Sequence, residues 1–185
     1  MNDLRPGMLL VATPALLDPN FARTVVLLLD ADEQGALGVV LNRPSPILVA
    51  DVLGDWVEVV AEPEVLFRGG PVGADGALAV GSLRDPDDAP VGFRAVFDRI
   101  GMLDLDTPVA LVEGTLDALR VFAGYAGWGA GQLESEIEEG SWYVVPAEPG
   151  DLGREDLTDL WRDVLRRQPG ELAWVSTRPV DPEQN

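Results

Sequence analysis

The 185-residue sequence contains no histidine, no cysteine and no lysine, and all 13 of its basic residues are arginines. Each absence removes a class of chemistry. Without histidine or cysteine there is no Ser-His-Asp triad, no Cys-His pair and no imidazole- or thiolate-bound zinc. Without lysine there is no Schiff base and no Walker A phosphate loop. The lack of cysteine also excludes a disulfide framework and fits a chain that needs no oxidising compartment. What remains is carboxylate, hydroxyl, arginine and backbone chemistry.

Long apolar runs are missing as well. Met8–Val11, Val25–Leu29 and Val109–Val112 are each a few residues long, far short of the roughly 18 that a spanning helix requires. The first residues, Met1 to Gly7, carry neither a basic n-region nor an apolar h-region, so a cytoplasmic protein without membrane contact is expected. Positive charge is scarce: 32 acidic residues give a formal charge of −19. Such a field repels nucleic acids and anionic lipid, so direct nucleic-acid binding is not expected. The acidity reads as a solubility device rather than as a surface for a cationic partner.

The 46% of hydrophobic residues that are present suffice for a packed fold rather than a disordered chain. No linker, repeat or composition shift divides residues 1–185, which predicts a single domain. Met8–Thr13, Thr24–Leu29 and Ala36–Leu41 read as strands, the last two forming a hairpin across Asp30–Gly35. A short helix is expected within Val49–Val57, and strands at Ala77–Leu83, Phe93–Phe97, Val109–Val112 and Trp142–Val145. Leu116, Leu119, Val121 and Phe122 fit a helical period, broken by the glycines of 124–131. A second short helix is expected over Gln132–Glu139. Leu157, Leu160, Trp161, Val164 and Leu165 define an amphipathic helix near the C-terminus. Arg162, Arg166 and Arg167 lie toward its end, where they complement the helix dipole. A short strand at Leu172–Val175 and a frayed end over Ser176–Asn185 complete the reading. Strands followed by late helices indicate an α+β fold.

Several motifs invite a chemical reading. Asp30, Asp32 and Gly35 begin like a calcium loop, but Gln34 and Leu41 occupy two positions where it needs ligands, so a hairpin turn is expected and no metal. Glu134 and Glu138 share one helical face, which reads as solvated, although paired carboxylates also serve hydrolases. The stretch Gly124–Glu134 fails the dinucleotide pattern, since Gln132 or Glu134 stands where glycine is required; a tight corner between helices, packed by Trp128, is expected instead. Arg43 and Arg68 each follow a predicted strand end, beside Pro44 and Gly69-Gly70. Arginine offers a planar fork to a carboxylate or phosphate, and glycine amides can form an anion nest. The alternative is that each arginine pairs with a nearby acid.

Four segments, Leu9–Leu29, Gly35–Pro44, Phe67–Val72 and Gly124–Ile137, closely resemble the bacterial YqgE/AlgH family. The resemblance runs from about Pro6 to Val145 in the expected order. It implies a small cytoplasmic α+β protein whose bent, mainly antiparallel sheet closes toward a barrel, flanked by short helices. The family has no settled activity, and some members carry the label of a transcriptional regulator of alginate synthesis. Its motif positions supply the candidate ligand-binding set: Asn42, Arg43, Arg68, Gly69, Gly70, Trp128, Gln132 and Glu134.

The expectation is a non-enzymatic binding or regulatory protein, without a cofactor, acting through a small anion or a protein partner. Two alternatives stand beside it. One is a carboxylate- or divalent-metal-dependent hydrolase using Glu134 and Glu136. The other is an indirect transcriptional regulator that makes no direct DNA contact. The sequence assigns no oligomeric state.

Overall fold

A computed structural model describes residues 3–178. Ten strands, β1 (Met8–Ala12), β2 (Val25–Asp32), β3 (Gly35–Val40), β4 (Pro44–Leu48), β5 (Val65–Arg68), β6 (Val72–Leu83), β7 (Phe93–Phe97), β8 (Ile100–Leu103), β9 (Leu116–Gly129) and β10 (Trp142–Pro146), form one sheet. Five short helices accompany it: α1 (Val49–Val52), α2 (Gln132–Glu138), α3 (Gly150–Gly153), α4 (Leu160–Arg166) and α5 (Leu172–Val175). The main strand order is β10-β1-β2-β3-β9-β6-β8-β7, with β5 joining β4 to β9. All pairings are antiparallel except β5 with β9. The sheet curls into a half-barrel, and the α+β class expected from the sequence is the one observed. Among the described residues, no helix is long and apolar enough to cross a membrane.

The continuous apolar runs of β1 and β2 have a direct cause. Leu9, Val11, Val25, Leu27 and Leu29 face one core, shared with Phe67, Phe122 and the α4 residues Leu160, Trp161, Val164 and Leu165. Met8, Leu10, Ala12, Val26 and Leu28 face a second, with Trp128, Leu133 and Trp142. A strand covered on both faces has no polar side and therefore loses its alternation. A third cluster, around Val49, Trp56, Leu66, Leu119 and Val121, fills the other half of the sheet.

That same double burial explains the principal correction. The helical period expected from Leu116 to Phe122 and the helix-to-helix corner at 124–131 are instead one 14-residue strand, β9. Leu119 to Phe122 are all buried, so both faces are covered and a helical spacing can be picked out of what is a doubly covered strand. The glycines serve close strand packing. A Cβ on Gly124, whose φ is +75°, would lie 2.5 Å from the Gly70 carbonyl oxygen, and one on Gly69 would lie 2.3 Å from that of Gly124.

Smaller differences follow the same logic of packing over local pattern. Val109–Leu111 is a 3-10 turn and Leu172–Val175 a helical one, where strands were expected. β8 went unread, being only four residues with a glycine inside. Of the C-terminal arginines, Arg167 grips the buried Asp151 through two bonds of 2.6 and 2.7 Å, and Arg166 pairs with Asp163 at 3.2 Å. These two therefore make ion pairs as well as lying near the helix end. Arg162 donates to the Ser176 carbonyl, and Ser176 is buried. Of the end expected to fray, Ser176–Arg178 are thus held against α4 and α5, while 179–185 lie outside the described residues.

Candidate functional site

The strand β5 enters between β3 and β9 at the point where those two part. The Gly69 amide donates to the Ala123 carbonyl at 3.0 Å, and the Gly69 carbonyl accepts from the Val40 amide at 2.9 Å. On its other side β5 pairs with β4, whose Pro44 and Pro46 lack the N–H that a further strand would need. β4 is therefore an edge strand protected from strand addition. Across this pair the Arg68 amide donates to the Arg43 carbonyl at 2.8 Å, which sets the two arginines side by side.

Their side chains have different fates. Arg43 donates to the carbonyl oxygens of Pro19 at 2.9 Å and Ala22 at 2.8 Å, pinning the loop between β1 and β2. Arg68 is exposed, and among the described residues its guanidinium has neither a hydrogen-bond nor an ion-pair partner. Among the described residues neither arginine is paired with an acid, the alternative the sequence left open.

Both line a cleft of about 440 Å³ together with Asn20, Ser45 and Gly70. Its remaining walls are carbon: Pro19, Val40, Ile47, Pro71, Ala74 and Ala123. Among the described residues no carboxylate lines it, although the chain has 32 acidic residues. Two other depressions that contain arginine differ in this respect. In one, Arg99 lies 3.8 Å from Asp117, and Arg154 is bonded to Asp163. In the other, Arg94 shares the walls with Asp104 and Asp106. The Arg43–Arg68 cleft is thus a local cationic spot in an acidic protein.

The glycine pair divides its roles. The Gly69 amide is consumed by Ala123, so it cannot join an anion nest. The Gly70 amide makes no backbone hydrogen bond among the described residues, and Gly70 lines the cleft. Its φ of +156° and the 2.1 Å that would separate a Cβ from the Tyr125 carbonyl carbon require glycine here for packing alone.

Asn42 plays a structural part. Its Oδ1 accepts from the Val25 amide at 3.0 Å and its Nδ2 donates to the Arg23 carbonyl at 2.9 Å, closing the end of the β2–β3 hairpin. Trp128 and Gln132 lie elsewhere. Trp128 is five residues beyond Ala123 on β9, roughly 16 Å along the strand. Its indole and that of Trp142 both donate to Glu136 Oε1 at 3.2 Å, while Gln132 Nε2 donates to Glu136 Oε2 at 3.1 Å. Gln132 Oε1 also accepts from the Gly129 amide at 3.0 Å. Phe21 caps this group, 5.6 Å from Trp142 and 6.2 Å from Trp128 between ring centroids. The candidate set therefore falls into two places, joined by one loop: Arg43 holds it at Pro19 and Ala22, and Phe21 packs from it against both tryptophans, which also meet each other edge-on.

Glu134 is exposed in the first turn of α2, as is Glu138 one turn on. The two carboxylates singled out for hydrolysis are unlike one another, since Glu136 is engaged by three donors and Glu134 by none among the described residues. At Asp30–Gly35, Asp32 accepts from the Gln34 amide at 2.7 Å inside a tight turn. Among the described residues, no three His, Cys, Asp or Glu side chains gather as a metal-binding group.

Two features escaped sequence reasoning. The carbon walls of the cleft come from four separate segments, which no linear pattern displays. Arg120 did leave a signal, as the one charge inside the run Ala118–Ala123. It is 1% exposed, stacks on Phe67 with its guanidinium 4.3 Å from the ring centre, and donates from Nη2 to the Glu62 carbonyl at 2.8 Å. Its Nε and Nη1 have no partner among the described residues. Burial pushes its pKa down to about 10.

A family model described as AlgH-like matches residues 9–173. A UPF0301 protein of Streptomyces coelicolor is 57% identical over 182 residues, covering 97% of this chain and 94% of that protein. A UPF0301 protein of Thermobifida fusca is 51% identical over 190 residues, with 97% and 94% covered. The crystal structure of a Corynebacterium diphtheriae protein superposes with a TM-score of 0.90 at 37% identity, covering 96% of this chain and 94% of that one. The solution structure of the AlgH protein from Pseudomonas aeruginosa gives a TM-score of 0.70 at 28% identity, with 97% and 98% covered.

Proposed function

The chain belongs to the AlgH-like family, and we propose that it is a non-enzymatic binding protein which recognises an anionic group in the Arg43–Arg68 cleft. The observation that carries this reading is the exposed Arg68 guanidinium which, among the described residues, has no acidic partner and stands at a cleft that no carboxylate lines. In a chain of charge −19, an unpaired cation beside a concave wall is a position where an anion gains a forked pair of hydrogen bonds. Arg43 takes part as a positioning residue, since its donors hold the loop that forms one wall. Asn42 orders the hairpin behind the cleft. Trp128, Gln132 and Glu134 serve α2 and the loop rather than the ligand.

The protein is cytoplasmic and one domain in this reading, and it makes no direct contact with nucleic acid. Its charge supports the last point, as does the absence, among the described residues, of any helix longer than seven residues to enter a groove. Control of transcription, where the family label applies, then runs through the bound anion or a protein partner.

The test is a series of thermal melts against inorganic phosphate, organic acids, nucleotides and sugar phosphates. An anion at 100 times its dissociation constant stabilises by about 2.7 kcal/mol, which raises the midpoint of a protein this size by roughly 5 to 10 °C. The shift should vanish in Arg68→Gln. A panel in which no anion moves the midpoint would remove the proposal.

A further inference from the structure

The anion reading leaves open what kind of anion fits, and the walls of the cleft answer that question. We infer that the cleft takes a monocarboxylate bearing a short aliphatic group; this rests on the anion site proposed above and narrows it. Three observations lead there. First, one guanidinium is available. Arg43 spends Nη1 and Nη2 on backbone carbonyls, leaving Arg68 as the fork for a ligand. A single planar fork matches one carboxylate, while Arg43, still charged but with both Nη groups engaged, leaves no second fork for the further oxygens of a phosphate or diphosphate.

Second, the surface beyond Arg68 is carbon. Val40, Ile47, Pro71, Ala74 and Ala123 supply it, and Ile47, a large branched side chain, stands 46% exposed. Burying an aliphatic group there removes apolar surface from both partners, and each buried methylene is worth about fourfold in affinity. Third, the cleft holds about 440 Å³, within the range of small-ligand sites and too small for a folded partner to enter. Strand addition at this edge is closed off by Pro44 and Pro46, so the recognised group enters through its carboxylate and side chain.

Such a group comes from two sources, a free aliphatic acid or the C-terminus of a polypeptide ending in an aliphatic residue. Calorimetric titration of the full chain with acetate, isovalerate, isocaproate, isocaproamide and inorganic phosphate reads the chemistry. An acetylated tripeptide ending in leucine, with a free or an amidated terminus, reads the source. The expected result is affinity rising about fourfold per methylene from acetate to isocaproate, with loss of binding for the amide and for Arg68→Gln. Ile47→Ser, at a half-exposed position, should keep the carboxylate and flatten the chain-length series. Isocaproate without the tripeptide identifies the free acid, and the free-terminus tripeptide binding at least tenfold tighter identifies the polypeptide end. Either outcome supports the inference. Phosphate binding more tightly than every acid, or acetate equalling isocaproate, overturns it and leaves the anion site standing. No binding by any anion overturns both.

Discussion

The Arg68 amide donates to the Arg43 carbonyl at 2.8 Å, yet the two guanidiniums it brings together do opposite work. One is spent on holding a loop and the other is exposed beside the cleft. Exchanging them for glutamine should separate the roles. Arg43→Gln loses two hydrogen bonds from a charged donor and should cost about 1–3 kcal/mol in urea unfolding. Arg68→Gln removes no hydrogen bond or ion pair among the described residues and should stay within about 0.5 kcal/mol. Equal losses would mean that Arg68 is structural and that the cleft has no uncommitted cation.

Asn42 closes the β2–β3 hairpin through one accepted and one donated bond. Asn42→Ala strands both the Val25 amide and the Arg23 carbonyl, and should destabilise by about 1–3 kcal/mol. Asn42→Asp keeps the acceptor and should cost less. Hydrogen exchange at the Val25 amide provides the local readout: protection should fall in the alanine variant and persist in the aspartate one.

Glu136 gathers two indole N–H groups and an amide. Removing it as Glu136→Ala leaves two nearly buried indoles unpaired and should cost about 1–3 kcal/mol, with a shift in tryptophan emission. Glu134→Gln, at an exposed position, should change neither stability nor any phosphoester or glycoside hydrolysis. Hydrolysis that depended on Glu134 would favour the carboxylate-enzyme alternative.

Arg120 carries a burial penalty beside its two contacts, the Phe67 ring and the Glu62 carbonyl. Its folded pKa of about 10 lies below the ordinary arginine value because burial penalises the charged form. Below pH 10 the group is protonated in both states, and the full penalty weighs on the fold. Above about pH 10, until the ordinary arginine value is reached, the unfolded chain holds a proton that the folded one has released, so stability rises with pH there. Arg120→Met fills the same space without charge and should be neutral or stabilising by about 1–3 kcal/mol at pH 7. The advantage should shrink above pH 10 in paired denaturation curves. A clear destabilisation would mean that the Glu62 hydrogen bond and the Phe67 stacking outweigh the burial penalty.

The first half of the chain was readable because its hairpin is announced locally: two Val- and Leu-rich runs flank Asp30–Gly35, and β2 and β3 fall on them. Arg43 and Arg68 were legible as site candidates because both follow strand ends beside turn residues. The second half misled because Leu119–Phe122 are buried on both faces, and a doubly covered strand has no alternation to distinguish it from a helix. Trp128 and Gln132 read as companions of the arginines from shared motif strength, which says nothing about distance.

The sequence by itself determined what this protein lacks the side chains to do, that it folds with an α+β class, and which family it belongs to. Those follow from residue inventory, local periodicity and motif order, all of which are linear properties. Only the tertiary structure decided that β9 is a strand, that Arg43 is committed while Arg68 is not, and that the walls around them are carbon without carboxylate. Each of these depends on which residues distant along the chain meet in space, and hydrogen-bond competition and burial are settled only there.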